Sequence, residues 1–129
     1  MKIVVGITGA SGSIYGIRVL ERMSRMPNVE VHLVLSKAGA RTALVETGMQ
    51  PAQIRELADY SYPMSDIGAR LASGSFPTNG MVIAPCSIKT MSSIAYGLSD
   101  SLITRAADVT LKERRRLILM VRETPFHTG

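Results

Sequence analysis

The sequence predicts an α/β fold, in which a parallel sheet lies between layers of helices on both of its faces. Two observations predict this fold. Short apolar runs of strand length alternate with longer segments of helical period, which is typical of parallel strands joined by right-handed helical crossovers. The chain also has 129 residues with a hydrophobic content of 46%, which is enough for one domain with a buried core.

The first half of the chain is predicted to contain two strands and four helices. In order they are a strand over 2–7, a helix over about 13–26, a strand over 29–35, a helix over about 37–46, and short helices over 53–59 and 66–72. Spacings of three between Ile14, Ile17 and Leu20 indicate the first long helix, which Pro27 ends. Gly48 closes the second long helix.

The second half begins with a polar, glycine-rich loop over residues 73–80 and then returns to the same alternation. Its predicted elements are a strand over 81–84, helices over about 88–96 and 102–112, and a strand over 117–121. The strand over 81–84 is continuously apolar, as expected for a parallel strand buried on both faces. Asp100 or Ser101 is placed to cap the helix that follows. Together these elements predict a three-layer, Rossmann-like (flavodoxin-like) fold.

The amino-acid composition limits the kinds of partner that this chain is expected to bind. The formal charge is +5, which favours anions without choosing among them. Basic residues are dispersed except at Arg114-Arg115-Arg116 and aromatic residues are few, so nucleic acid is not expected as a partner. The apolar run after Lys2 is too short for a membrane span, so no membrane is expected either. His32 has no metal-like neighbours in sequence, and no metal site is predicted. Cys86 is the single cysteine, which excludes an internal disulfide and fits a reducing, cytoplasmic setting.

The topology predicts where a ligand binds. Parallel strands place their carboxyl ends at one edge of the sheet, and ligands of such sheets bind outside that edge. The segments that follow the predicted strands are residues 9–13, Ser36, residues 85–90 and residues 122–125. The first of these is a glycine-rich turn leading into a helix, whose free N–H groups favour an anion. We therefore expect an anion-binding site at this edge.

A nicotinamide dinucleotide is not the expected anion. Gly9, Gly12 and Gly16 are spaced G-x-x-G-x-x-x-G, which differs from the G-x-G-x-x-G fingerprint. The second strand is followed by Ser36 and Lys37, whereas nicotinamide sites usually have an acidic residue there. A phosphate-bearing ligand of another kind is favoured.

Several motifs in the same order resemble one family, the UbiX/Pad flavin prenyltransferases of the flavin-containing cysteine decarboxylase superfamily. The motifs are Thr8-Gly9-Ala10-Ser11-Gly12, Ser36-Lys37-Ala38, Ser73-Gly74-Ser75, Pro85-Cys86-Ser87-Ile88-Lys89-Thr90, Arg105-Ala106-Ala107-Asp108-Val109 with Leu111-Lys112-Glu113-Arg114, and Arg122-Glu123-Thr124-Pro125. The resemblance extends over essentially the whole chain. Several motifs in the correct order are more specific than any one of them.

The resemblance implies an enzyme that binds FMN and needs no metal. Such enzymes join a dimethylallyl group from dimethylallyl monophosphate to N5 and C6 of reduced FMN. The product, prenylated FMN, serves a separate decarboxylase in ubiquinone or aromatic acid metabolism. The resemblance also implies a homo-oligomer, a dodecamer, with flavin and substrate sites at contacts between subunits.

The same resemblance assigns roles to individual residues. The flavin-contacting positions are Gly9, Ala10, Ser11, Ser36, Ser87, Ile88, Lys89, Thr90 and Arg122. The substrate phosphate is assigned to Arg105, Lys112 and Arg122, the basic candidates carried over from the matched motifs. Lys112 is equally placed for an i,i+4 pair with Asp108. The catalytic candidates are Ser11, Glu46 and Glu123, and Glu46 matches an acid expected to reach a neighbouring subunit's site.

The resemblance also sets the expected domain organisation and leaves alternatives open. Family members continue about 60 residues beyond the Arg122-Glu123-Thr124-Pro125 motif, so residues 1–129 are expected to be a single flavoprotein domain without that last segment. The alternatives are an FMN-dependent decarboxylase acting on an aromatic acid or a cysteine-type substrate, and a flavin carrier without enzymatic activity.

Overall fold

The computed structural model describes residues 1–122 and contains five strands and five α-helices in that range. The strands are β1 (Lys2–Ile7), β2 (Glu30–Leu35), β3 (Tyr60–Tyr62), β4 (Gly80–Cys86) and β5 (Arg116–Val121). The helices are α1 (Ser13–Ser24), α2 (Lys37–Thr47), α3 (Pro51–Arg55), α4 (Ile88–Ala95) and α5 (Leu102–Lys112). A 3-10 turn spans Arg70–Ala72.

The five strands form one sheet in the order β3-β2-β1-β4-β5, and every pair is parallel. This order places β1 at the centre, with β2 on one side and β4 on the other. The predicted α/β fold with a parallel sheet is confirmed. Among the helices of residues 1–122, none has the length and apolar composition needed to cross a bilayer.

Two hydrophobic clusters on opposite faces of the sheet show the three layers. Neighbouring residues of β1 divide between them: Val5 packs with residues of α1, α2 and α3, whereas Val4 packs with residues of α5. This division follows from the strand period of two, which turns successive side chains to opposite faces. Both faces are covered by helices, and all strand carboxyl ends meet at one edge.

Two predictions between residues 53 and 72 differ from the structure. The helix predicted over 53–59 is instead α3, which begins earlier because Pro51 suits the first helical position. The helix predicted over 66–72 is wrong, since that stretch contains only the 3-10 turn. The structure also adds the edge strand β3, which pairs with β2. This strand has three residues, which are too few to show the alternation of apolar and polar residues that predicts a strand.

Candidate cofactor and substrate site

Thr8 joins the loops that follow the two central strands. Its hydroxyl donates to the carbonyl of Pro85 at 2.7 Å and accepts from the amide of Ser87 at 3.0 Å. The side chain is buried, so both bonds are shielded from water. The ends of β1 and β4 are therefore held together at the carboxyl edge, where the sequence predicted a site.

Three serines cap helices around one cavity at this edge. Ser36 caps α2 by accepting from the Gly39 amide at 2.9 Å, and Ser87 caps α4 by accepting from the Thr90 amide at 3.1 Å. Ser101 caps α5 in the same way. All three serines line a cavity of about 260 Å³. Three helix N-termini therefore meet at one cavity, and their dipoles make it favourable for an anion.

Five of the predicted flavin-contacting residues line this cavity. They are Gly9, Ser36, Ser87, Lys89 and Thr90. Ala10 is fully buried and Ile88 is 39% exposed. The structure also adds to the lining five polar residues that the sequence did not assign to the flavin, namely Thr8, Ser93, Asp100, Ser101 and Thr104. Ser101 carried a sequence signal as a helix cap, but nothing in sequence placed that cap beside Ser36 and Ser87.

The lack of a side chain at Gly9 lets the first loop pack against α2. A Cβ atom at Gly9 would lie 2.6 Å from the Cβ of Ala38, closer than two carbons can approach. The hydroxyl of Thr42 donates to the Gly9 carbonyl at 3.0 Å. The loop backbone is thus held at the cavity wall by packing and by a hydrogen bond from the same helix.

The N-terminus of α1 is occupied by a carboxylate of the same chain. Gly12, the N-cap residue, has a φ of 101° and no side chain with which to cap the helix. Glu46 supplies the acceptor instead: the amides of Gly12 and Ser13 donate to its Oε1 at 3.1 and 2.9 Å. The sequence predicted an anion at this helix end, and the anion found there is Glu46. This contact lies within one chain, and the role of Glu46 at a neighbouring subunit's site stays a prediction.

These bonds also set the ionisation of Glu46. The Ser13 amide is the largest cause that lowers the pKa of the Glu46 carboxyl below its ordinary value, and the Gly12 amide and the Ser11 hydroxyl act in the same direction. Partial burial opposes them. The group is therefore a carboxylate at neutral pH, beside Ser11.

Arg122 lies over the same turn. Its guanidinium carbon is 5.3 Å from the centre of the Tyr15 ring, and its amide donates to the Cys86 carbonyl at 2.9 Å. Ser11, Glu46 and Arg122 therefore meet around the start of α1. Glu123, the remaining catalytic candidate, lies outside the described residues.

The other two predicted phosphate ligands lie at different ends of α5. Arg105 is near its start, and the buried Nε atom of Arg105 has no hydrogen-bond partner within residues 1–122. Lys112 is its last residue and pairs with Asp108 at 3.0 Å. Because α5 starts at the cavity, Lys112 is about 16 Å along the helix from it. The structure places Arg105 close to the cavity end of α5 and Lys112 at the other.

A second, larger depression adjoins the cavity. This groove has a volume of about 690 Å³ and shares Met64, Asp100 and Ser101 with the cavity lining. Lys37, Arg41 and Arg55 lie along it. No sequence pattern indicates the groove, because its walls come from segments far apart in the chain.

Neither the cysteine nor the buried histidine acts in this site. Burial raises the pKa of the Cys86 thiol to about 11, so it is protonated and a poor nucleophile at neutral pH. His32 is bonded to Glu30 and Tyr62 on the opposite side of β2 from the α1 cluster. Within residues 1–122, no three histidine, cysteine or acidic side chains are grouped to hold a metal ion.

One family model and several known protein sequences match nearly the whole chain. The Flavoprotein family model matches residues 1–127. Flavin prenyltransferase UbiX of Salmonella typhimurium is 52% identical over 128 residues, covering 99% of this chain and 68% of the relative. Flavin prenyltransferase LpdB of Lactiplantibacillus plantarum is 54% identical over 125 residues, covering 97% and 67%.

Solved structures of UbiX-like proteins also match this chain closely. A dodecameric FMN-dependent UbiX-like decarboxylase from Escherichia coli O157:H7 has a TM-score of 0.94 at 47% identity, covering 99% of this chain and 70% of the other. AnUbiX (PadA1), in complex with FMN and dimethylallyl pyrophosphate, has a TM-score of 0.92 at 50% identity, covering 98% and 67%. This chain thus spans about two thirds of the length of the relatives it matches.

Proposed function

Because this chain belongs to the flavoprotein family and, within it, to the UbiX-type flavin prenyltransferases, we propose that it transfers a dimethylallyl group to reduced FMN. The proposed donor is dimethylallyl monophosphate, and the acceptor atoms are N5 and C6 of the flavin. The observation that carries the proposal is the cavity where the three capping serines and their helix N-termini meet.

The residues around the cavity fit FMN. The helix N-termini capped by Ser36, Ser87 and Ser101 suit the flavin phosphate. Gly9 contributes backbone without a side chain to the cavity wall, which suits close contact with a flat ring. The unpartnered Nε of Arg105 offers a buried donor. When bound and reduced, FMN supplies the electron-rich atoms that form bonds to the allyl carbons.

The chain's own residues would assist departure of the phosphate. Breaking the allylic C–O bond leaves a phosphate anion, which guanidinium and ammonium groups stabilise. We assign this role to Arg105, Arg122 and Lys112. Arg122 lies beside the β1–α1 turn in the same chain, whereas Lys112 lies at the far end of α5 and is assigned to the site of a neighbouring copy.

Proton transfer is assigned to the turn that carries Ser11. Since Glu46 is held as a carboxylate, it is suited to accept a proton rather than to donate one. Ser11 lies close enough to contribute to the lowered pKa of Glu46, and we assign it to relay the proton. Glu123 is proposed as the acid that protonates the leaving phosphate.

The proposal also includes the oligomeric state and the metabolic role of the product. We propose that copies of this chain form a dodecamer, as in the E. coli relative, with substrate sites at subunit contacts. The product would serve a separate prenylated-FMN-dependent decarboxylase, in ubiquinone or aromatic acid metabolism. The single, buried thiol of Cys86 is compatible with the cytoplasm as its compartment. The complex of AnUbiX with dimethylallyl pyrophosphate makes the diphosphate the alternative donor.

The test is the mass of the flavin after reaction. The protein is loaded with FMN and reduced anaerobically in the presence of dimethylallyl monophosphate. The mass of the released flavin is then measured by mass spectrometry. A gain of one C5 prenyl unit is expected. Bound but unmodified FMN would contradict the proposal and favour a flavin carrier or an FMN-dependent decarboxylase, which assays of CO₂ release from aromatic acids and cysteine-type substrates separate.

Two serine variants connect this activity to the cavity. Ser87→Ala removes the cap of α4 and a hydroxyl from the cavity wall, and we expect the Kd for FMN to rise about tenfold. Ser24→Ala is the matched control, since Ser24 is an exposed serine at the end of α1. Equal Kd values for the two variants would place the flavin elsewhere.

A further inference from the structure

Part of the cavity wall comes from a loop whose two ends are bonded to each other. Residues 63–69 connect β3 to the 3-10 turn, so Tyr62 precedes the loop and Arg70 follows it. The Nε of Arg70 donates to the Tyr62 hydroxyl at 2.8 Å across the base of the loop. This bond closes a short loop, and without it the loop ends are less restrained.

The same hydroxyl is part of a longer hydrogen-bond chain. The Arg70 guanidinium only donates, so the Tyr62 oxygen accepts from its Nε, and the Tyr62 hydroxyl is also hydrogen-bonded to Nδ1 of His32 at 2.9 Å. Since the Glu30 carboxylate only accepts, Nε2 of His32 donates to it at 2.8 Å. The hydrogen-bond chain therefore runs without a break from Arg70 to Glu30.

Ring contacts hold this chain in place. His32 is fully buried and stacks on Tyr60, with ring centres 4.9 Å apart. The Arg70 guanidinium lies over the Tyr60 ring at 4.6 Å and over the Phe76 ring at 4.9 Å. Such cation–π contacts favour one position of the guanidinium. The hydrogen bond between Arg70 and Tyr62 is therefore supported by the ring stacking of His32 and by the cation–π contacts of Arg70.

The loop reaches the cofactor cavity through Met64. This residue lines both the 260 Å³ cavity and the neighbouring groove. Its carbonyl accepts from the amide of Leu102, the first residue of α5, at 3.0 Å. The position of Met64 is thus coupled to the helix end at which Ser101 faces the cavity. A loosened loop would disturb both the apolar wall and this helix start.

We propose that Tyr62 and Arg70, supported by His32 and Glu30, are positioning residues that hold the Met64 wall of the FMN cavity. The inference rests on the proposed function, because it takes the cavity to be the flavin site. These four residues do not line the cavity. They act through the loop, by keeping Met64 and the start of α5 in the geometry that the flavin needs.

The test compares Tyr62→Phe with Tyr96→Phe. Tyr62→Phe keeps the ring and removes the oxygen that both Arg70 and His32 use. Tyr96 is 82% exposed at the end of α4, so its variant controls for loss of a tyrosine hydroxyl. In the full chain, FMN is titrated by quenching of flavin fluorescence. We expect the Kd to rise about tenfold for Tyr62→Phe and to change by less than about twofold for Tyr96→Phe.

Hydrogen exchange separates positioning from a purely structural role. The Leu102 amide, which donates to the Met64 carbonyl, should exchange faster in Tyr62→Phe than in the unmodified chain. A merely structural role would lower the Tm and leave the Kd and the Leu102 exchange rate unchanged, and that result would overturn the proposal. If Tyr62→Phe does not fold, Arg70→Gln removes the other partner and is judged by the same two measurements.

Failure of the proposed function gives a different result. If the unmodified chain does not bind FMN, the cavity is not the flavin site and the proposed function fails. The Leu102 exchange rate in the ligand-free protein then still decides whether the loop is held as inferred. An unchanged rate in Tyr62→Phe would overturn the positioning role itself.

Discussion

At the scale of single residues, Glu46 occupies the helix end at which the sequence predicted an anionic ligand. The glycine-rich turn before α1 indicated an anion because a helix N-terminus presents free amides. The structure fills that end with the carboxylate of Glu46, which accepts from the Gly12 and Ser13 amides. The proposed flavin site lies instead at the cavity around the ends of α2, α4 and α5. Local sequence indicates that a helix end attracts an anion but not whether that anion is a ligand or a side chain.

Replacing Glu46 with Gln should therefore change stability in a pH-dependent way. At pH 7, Glu46→Gln is expected to lower the free energy of unfolding by about 1 kcal/mol, the usual cost of weakening an N-cap. The folded-state pKa of Glu46 is lowered, so its contribution is present above the ordinary value near 4.3 and is lost as the pH falls through the lowered pKa. Urea denaturation from pH 7 to pH 2 measures the difference.

The control for that experiment is Glu56→Gln, which removes an exposed glutamate at the end of α3. Its free energy of unfolding should stay within about 0.5 kcal/mol of the unmodified chain at pH 7. The assignment of Glu46 as the α1 cap is refuted if Glu46→Gln and Glu56→Gln behave alike, or if the loss for Glu46→Gln does not shrink toward low pH.

At the scale of elements, the contact between α1 and β4 depends on Gly16. A Cβ atom at this position would overlap the carbonyl oxygen of Ala84 and crowd the side chain of Ile7. The first clash is with backbone, which cannot move aside as the end of a flexible side chain does. Since α1 begins directly after the Ser11 turn, any shift of α1 moves that turn with it.

Gly16→Ala is consequently expected to lower the free energy of unfolding by about 3 kcal/mol, through overpacking. Gly68→Ala is a matched control, because a Cβ at Gly68 has no atom within 4 Å, and its effect should be within about 0.5 kcal/mol. Thermal and urea denaturation of the two variants give the comparison. Similar stability for both would show that α1 and β4 are not packed at Gly16 as described.

At the scale of the whole molecule, the two ends of α5 separate the predicted phosphate ligands. Ser101 lies at the cavity, whereas Lys112 is at the other end of the helix and is bonded to Asp108. Within one chain, Lys112 and the Ser11 turn cannot serve the same small substrate. The proposed assembly resolves this, because a neighbouring copy can bring its own Lys112 to the site.

Mixing two inactive variants tests that arrangement. Lys112→Ala and Ser11→Ala are each expected to lower the rate of prenyl transfer by at least tenfold, as separate homo-oligomers. Subunits mixed in equal amounts and reassembled should recover about a quarter of the unmodified activity, because that share of sites combines an intact Ser11 with an intact Lys112 from another copy. No recovery after verified exchange of subunits would place both residues in a single-chain site, or Lys112 outside the site.

The sequence by itself determined the parallel α/β fold and predicted the carboxyl edge as the ligand site and a cap at the start of α5, since each depends on short-range signals. The spacing of hydrophobic residues distinguishes strands from helices over short segments, and a capping serine acts within three residues of its helix. These signals placed Ser36 and Ser87 directly after predicted strands and predicted α5 over the bounds that the structure gives. The three-residue strand β3 was missed because it is shorter than any readable period.

Only the tertiary structure decided which caps share a cavity and which distant side chains complete the site. Glu46 contacts amides 33 and 34 residues away, and Met64 reaches the cavity from a loop that the sequence did not connect with it. The bond between Tyr62 and Arg70 depends on the course of that loop. Such contacts follow from how elements pack rather than from local propensity, so no pattern in one sequence indicates them.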